Sequence, residues 1–256
     1  MTELVQTEVR DHLLIITLNR PEARNAINSE VAIGLENAID ELETNAELWC
    51  GVLAAQGSAF CAGADLREIA NGNGSSLSTS AGGFAGITQR KRTKPIIAAV
   101  DGPALAGGTE IVLACDLVVA SKNASFGLPE VKRSLVAGAG GLFRLPKMLP
   151  NAIALEILLT GDPISPEKAL HFGLINELCE EHEALDRAIV LGLRICENAP
   201  LAVWETYSIA NQVLRSNEQP LFDESSRAMG RLMKTEDFKE GPQAFLEKRK
   251  PNWSAR

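Results

Sequence analysis

Four short runs in this chain are apolar at nearly every position instead of at every second one, and no other feature restricts the fold so much. They are His12–Leu18, Trp49–Ala55, Ile96–Asp101 and Leu117–Ala120. A strand with one wet face alternates apolar and polar side chains, whereas a strand apolar throughout is covered on both faces. Helical stretches separate the runs. Ser29 is placed to cap a helix in which Val31, Leu35, Ala38, Ile39 and Leu42 recur at helical spacing. Residues 60–70 turn into a short helix, and Gly107-Gly108 opens an apolar helix running to Cys115. Buried strands alternating with helices predict an α/β protein built on parallel strands.

The texture changes along the chain. Asn71–Gly86, rich in Gly, Ser, Thr and Asn, reads as a mobile loop. From Ala184 onward helical patterns take over, in Leu185–Ala199, in Leu201–Leu214 and in the mixed-charge stretch 221–249. This predicts a mixed core over residues 1–195 and a helical region over residues 196–256. A chain of 256 residues can bury one substantial core with at most a small appendage.

The formal net charge of −8 disfavours long-range attraction to nucleic acid or to an anionic membrane. It also means that a phosphorylated ligand must be held by local Arg and Lys. Arg90-Lys91-Arg92 with Lys94 is the one cluster that could contact RNA, and the plainer account is a solvated basic face. Cysteines at positions 50, 61, 115, 179 and 196 form no CxxC pair, which fits reduced thiols in a cytoplasmic compartment. His12, His171 and His182 are the only histidines and none lies at ligand spacing from a cysteine, so no metal site is expected. The opening MTELVQTEVRDHLLIITLNRP has no charged-then-apolar leader, so neither a secretory signal nor a transit peptide is expected. No apolar run approaches a membrane span.

Three stretches carry candidate chemistry. Ala59-Phe60-Cys61-Ala62-Gly63-Ala64-Asp65-Leu66 follows a strand and precedes a helix, so its N–H groups can point at an anion or a polarised oxygen; a tight turn uses the same residues. Asp101–Glu110 repeats the arrangement, and two such starts could aim one N–H each at one oxygen. Glu110 opens an otherwise apolar stretch, either as a functional carboxylate or as a first-turn residue favoured by the helix dipole. The third is Ser125–Glu130, followed by Val136-Ala137-Gly138-Ala139-Gly140-Gly141, whose glycines leave room for substrate or water. Neither a phosphate-binding P-loop nor GxGxxG is present.

In order along the chain, LNRPEARNAIN, FCAGADL, VDGPALAGGTEIVLACDLVVAS, FGLPEVKRSLVAGAGGLFRLP, LTGDPISPEKALHFGLIN and FLEKRKPNW resemble the crotonase family, also called the enoyl-CoA hydratase/isomerase family. The resemblance spans residues 18–253. It implies an α/β, crotonase-like spiral of repeated strand–strand–helix units with a C-terminal helical region that packs a homotrimer, two trimers commonly stacking into a hexamer. It places an oxyanion hole on the backbone N–H groups of Ala64 and Gly107, two catalytic glutamates at Glu110 and Glu130, and a water-holding N–H at Gly138. Arg24, Ala62 and Leu66 match positions that line the coenzyme A path, and Asp65, Gly108 and Pro129 count among the substrate-binding residues. Phe245 and Lys248 match a C-terminal segment that can reach the adenine end. One departure is Ala106, where a third glycine is often seen; a small Ala still allows the hole.

The activity so implied is hydration of a trans-2-enoyl-CoA to a 3-hydroxyacyl-CoA in fatty acid or related acyl-CoA degradation. Glu110 would activate the water and Glu130 would protonate the α-carbon. No cofactor is expected, because the thioester carries the activation and coenzyme A is part of the substrate. Two carboxyls sharing an apolar pocket should titrate as a coupled pair. An isomerase or dehydratase on the same scaffold is the alternative, since one carboxyl can shuttle a proton between carbons. A catalytically silent scaffold is a third reading, against which the intact pair argues. The acyl group is left open.

Overall fold

The four apolar runs form the middle of one sheet, and the rest of the chain covers it. The structure is a computed structural model. It describes residues 3–215 and 218–252; Met1, Thr2 and Trp253, which fall in segments read above, lie outside the described residues. The first strands are β1 (Val5–Arg10), β2 (Leu13–Leu18), β3 (Cys50–Ala55), β4 (Ser78–Thr79) and β5 (Gly83–Phe84). There follow β6 (Ile96–Val100), β7 (Pro103–Leu105), β8 (Leu117–Ser121), β9 (Ser125–Gly127) and β10 (Glu177–Cys179). Helices α1 (Ser29–Thr44), α2 (Leu66–Ala70), α3 (Gly107–Ala114), α4 (Gly141–Met148) and α5 (Asn151–Thr160) come first. The rest are α6 (Pro166–His171), α7 (Ala184–Cys196), α8 (Pro200–Arg215), α9 (Glu218–Leu232) and α10 (Glu236–Leu246).

The main sheet has the order β1-β2-β3-β6-β8-β10, parallel from β2 onward. Its side chains feed two apolar layers. Leu13, Ile15, Val52, Ile97, Ala99 and Val119 pack with Ala184, Ala188 and Ile189 of α7. Leu14, Ile16, Leu53, Ile96, Ala98 and Val118 join Leu35 and Ile39 of α1 and Ile111 and Val112 of α3. Both faces are dry, so alternation vanishes from the sequence. Each Leu, Ile or Val among them contributes roughly 1.5–3 kcal/mol by leaving water. Only β1 is polar and largely exposed; it pairs antiparallel with β2, Val5 opposite Leu18, as a charged edge.

After each long strand the chain adds a short one to a second ladder and returns through a helix or turn. That ladder pairs β7 with β9, Ala104 opposite Phe126, and is extended by the bridges Ile27–Ala64, Cys61–Ala104 and Phe126–Ile164. These windings are the expected strand–strand–helix units. They bring residues 59–66, 103–110 and 125–130 to the carboxyl ends of the parallel strands, where open α/β sheets bind ligands.

Three details differ from the sequence reading. The N-cap of α1 is Asn28, whose Oδ1 accepts from Val31 N (2.9 Å); Ser29 is already helical. Residues 71–86 are ordered locally by a 3-10 turn (Gly74–Leu77) and the β4–β5 hairpin. The glycines and serines there serve turns, while Leu77 and Ala85 are buried anchors. The basic cluster is not a solvated face. Arg90 pairs with Asp40, and the buried Arg92 pairs with Asp116 (2.7 Å). Lys94, also buried, donates to Leu42 O (2.7 Å) and Asn45 O (2.8 Å) at the end of α1. Beyond α7, α8 is tied to its own chain's core by Trp204 Nε1 donating to Trp49 O (3.1 Å) and Tyr207 Oη donating to Asp116 Oδ1 (3.0 Å). No helix among the described residues is long and apolar enough to cross a membrane.

Candidate active site

Two backbone turns meet at the start of α3. Residues 60–65 run beside 103–107, with Phe60 N donating to Pro103 O (3.1 Å) and Leu105 N to Cys61 O (3.0 Å). Thr109 stitches this layer together: its hydroxyl accepts from Gly127 N (3.0 Å) and lies 2.7 Å from Ala104 O. A Cβ at Gly108 would collide with the Cys61 carbonyl, and one at Gly107 would collide with the Phe84 ring and lie 3.3 Å from Gly63 Cα. Both glycines are therefore required by close approach. Ala106 takes φ 53° and ψ −127°, a conformation that favours glycine, so its Cβ is tolerated at a cost.

The consequence is a pair of neighbouring backbone donors. Ile27 N donates to Gly63 O and Asp65 N to Ile27 O, which leaves Ala64 N–H out of the ladder. Gly107 N–H, at the first turn of α3, precedes the helical bonding. Neither has a protein acceptor among the described residues.

Two carboxyls complete the site. Glu110, in the first turn of α3, is 4% exposed, and its Oε1 accepts from Gly141 N (2.9 Å). Burial pushes it up to about 7, against the amides of Gly141 and Ala139 and the Arg144 charge. Glu130 sits on a 3-10 turn (Pro129–Arg133), with Oε2 buried and no protein partner. Burial first, then the Glu110 charge, push it up to about 8. Burial thus holds both carboxyls well above the ordinary carboxylate range, and the charge of one disfavours ionisation of the other, so the pair can share a proton near neutral pH as acid–base chemistry needs. Gly138 borders open space, with only Val136 O (3.9 Å) near a Cβ placed on it.

The remaining predicted residues divide into those left open and those already engaged. Arg24 is exposed beside Ala62, whose N–H donates to Arg24 O (3.0 Å); Leu66 opens α2 half-buried. The Asp65 carboxylate is committed to Arg20 (2.7 Å) and to Arg67 N (3.0 Å), so it holds the turn. Pro129 opens the Glu130 turn. Phe245 lies at the end of α10, which packs on that turn in the same chain, and Lys248 just beyond it. The sequence reading missed Gly141 as the donor to Glu110, Arg144 as its neighbouring charge, and Phe84. The Gly-Gly before α4 was the one available signal, because helix starts present free amides.

Fold and site together define a crotonase-type spiral enzyme. A carnitinyl-CoA hydratase from Mycobacterium avium superposes with a TM-score of 0.93, at 42% identity over 100% of both chains. The mevalonyl-coenzyme A hydratase of Aspergillus fumigatus is 40% identical over 249 residues, covering 94% of this chain and 91% of that protein. The carnitinyl-CoA dehydratase of Salmonella enteritidis is 36% identical over 266 aligned positions and 100% of both. Residues 8–256 match the family described as enoyl-CoA hydratase/isomerase. The chain belongs to the enoyl-CoA hydratase/isomerase family.

Proposed function

We propose that this chain hydrates the double bond of a trans-2-enoyl-CoA. The observation that carries the reading is the pair of buried carboxyls, both raised by burial, beside two unpartnered backbone N–H groups. The thioester oxygen would accept from Ala64 N–H and Gly107 N–H, which stabilise the enolate charge; losing one such donor typically costs about 2.7–4 kcal/mol of barrier. Ionised Glu110 takes a proton from water as its oxygen bonds to the β-carbon. Protonated Glu130 gives its proton to the α-carbon, and the pair ends with its proton on the other carboxyl. Gly138 N–H helps to hold the water. The exposed Arg24 supplies a local cation for the phosphates of coenzyme A, which the acidic chain as a whole would not attract. The thioester supplies the activation, so the reading calls for no further cofactor.

The test is loss of the conjugated thioester absorbance with crotonyl-CoA and longer 2-enoyl-CoAs. Turnover that disappears in Glu130→Gln supports the reading, and no turnover of any of them sinks it. A second reading is favoured by the names of the two relatives: dehydration or hydration of an acyl group bearing a polar or branched tail. Mevalonyl-CoA and carnitinyl-CoA in the same assay separate the two. The proposal extends to fatty acid or related degradation in the cytoplasm and to a trimer or hexamer built by residues 196–256, which sedimentation velocity tests.

A further inference from the structure

Glu130 and Arg133 lie three residues apart on one 3-10 turn, a spacing that stacks side chains on the same face. Each has a buried atom without a protein partner, Oε2 of the glutamate and Nε of the arginine. The other anchors of Arg133 are few. Its Nη1 donates over a long 3.5 Å to Pro129 O, and its guanidinium lies over the Phe245 ring at 4.4 Å. Helix α10 presses directly on the turn, since a Cβ at Gly241 would lie 2.7 Å from the Arg133 carbonyl oxygen. Gly241 and Phe245 are four residues apart and share one helix face. That face therefore meets both the backbone and the side chain of Arg133.

We propose that Arg133 is a positioning residue for Glu130: clamped under Phe245 by α10, its fixed positive charge sets how readily Glu130 releases its proton, so that docking of α10 tunes the general acid. The inference rests on the acid role given to Glu130 above. A guanidinium loose in water acts through the high dielectric of the solvent and is screened over about 8–10 Å, whereas one held against protein acts through a lower dielectric. Burial and the Glu110 charge favour the neutral Glu130, and Arg133 opposes both. Glu130 in turn supports the charge of Arg133 against the burial that weakens it.

The other charges around the turn have other occupations. Lys132 pairs with Asp162. Glu156 on the neighbouring α5 is exposed. On α10, Glu236 pairs with Lys239 and Glu240 with Arg249, while Asp237 is itself engaged. Arg144 acts on Glu110 and is bound to Glu218 (2.8 Å).

The test titrates the Glu130 carboxyl carbon by NMR in the whole ¹³C-labelled protein, the signal being assigned by its loss in Glu130→Gln. This needs no substrate. Arg133→Met is expected to raise the midpoint by roughly one pH unit, and Arg133→Lys to hold it near the wild-type value. Phe245→Ala, which frees the guanidinium, should raise it by less, and it carries the test by sign should Arg133→Met fail to fold. The basic limb of kcat with an enoyl-CoA should move in the same direction. An unchanged midpoint in a folded Arg133→Met, or activity lost at every pH with no shift, overturns the proposal. A midpoint that moves in a protein that turns over no enoyl-CoA leaves the Arg133 role standing and overturns the trans-2-enoyl-CoA reading.

Discussion

Replacing Glu130 by Gln is expected to cripple turnover and, at alkaline pH, to make the protein more stable. The carboxyl is largely buried and its Oε2 finds no protein donor, so the fold prefers the neutral form. Burial and the Glu110 charge raise it from 4.5 to about 8. The native state therefore holds this proton more tightly than the unfolded chain does. The stability so gained is complete below about pH 4.5 and is lost as the pH rises through about 8. At about 1.36 kcal/mol per unit the ceiling is ~5 kcal/mol, and discounting for the share that depends on Glu110 and for relaxation leaves ~2–3 kcal/mol at pH 9. Gln keeps the shape and has no proton to lose. For a chain of this length the gain corresponds to roughly 4–10 °C in Tm. Thermal melts at pH 5 and pH 9, at one protein concentration, measure it. The two proteins should coincide at pH 5 and part at pH 9, with turnover down by ~10²–10⁴ in the variant. A variant no more stable than wild type at pH 9 would refute the burial argument. One displaced equally at both pH values would show a packing change instead of proton linkage.

Glu110→Gln should lower hydration by ~10²–10⁴ and remove the acidic limb near pH 7 from kcat/KM, because burial raises this base to about 7. The wild-type profile is then a bell near neutral pH, set by the pair as a unit, and an isomerase that used Glu130 alone would survive the change. At the start of α3, Ala106→Gly relieves the φ of 53° and should stabilise by up to about 1 kcal/mol in urea unfolding. Gly108→Ala drives a methyl into the Cys61 carbonyl and should cost several-fold more.

The sheet was legible because its burial is total. Runs such as Leu13–Leu18 and Ile96–Val100 show no alternation when α7 covers one face and α1 the other. Strand β1 was not legible: VQTEVR is an exposed edge, and nothing in six mostly polar residues demands a strand. The hairpin in residues 78–84 was hidden for a related reason, since its Gly, Ser and Thr record turns and the anchoring falls to the scattered Leu77, Phe84 and Ala85. Lys94 and Arg92 looked like surface charge because sequence does not show which carbonyls and carboxylates will surround a cation. At the site, Glu110 and Glu130 were recognised through the resemblance and not through spacing. What surrounds the two carboxyls comes from contacts distant in sequence, Gly141 with Glu110 and Phe245 over Arg133, and no local pattern encodes those.

The second ladder takes one short segment from each successive winding, and the site inherits that order. Ala64 belongs to one winding, Gly107 and Glu110 to the next, and Glu130 to the one after, while Gly141 and α10 come later still. During synthesis, a nascent chain that has emerged as far as Ala64 carries one donor and nothing for it to oppose. At Glu110 it has both donors and a carboxyl that still lacks the Gly141 amide. On the roles proposed for these residues, premature termination before α4 leaves the site incomplete, and a contiguous fragment shorter than most of the chain is expected to be inactive.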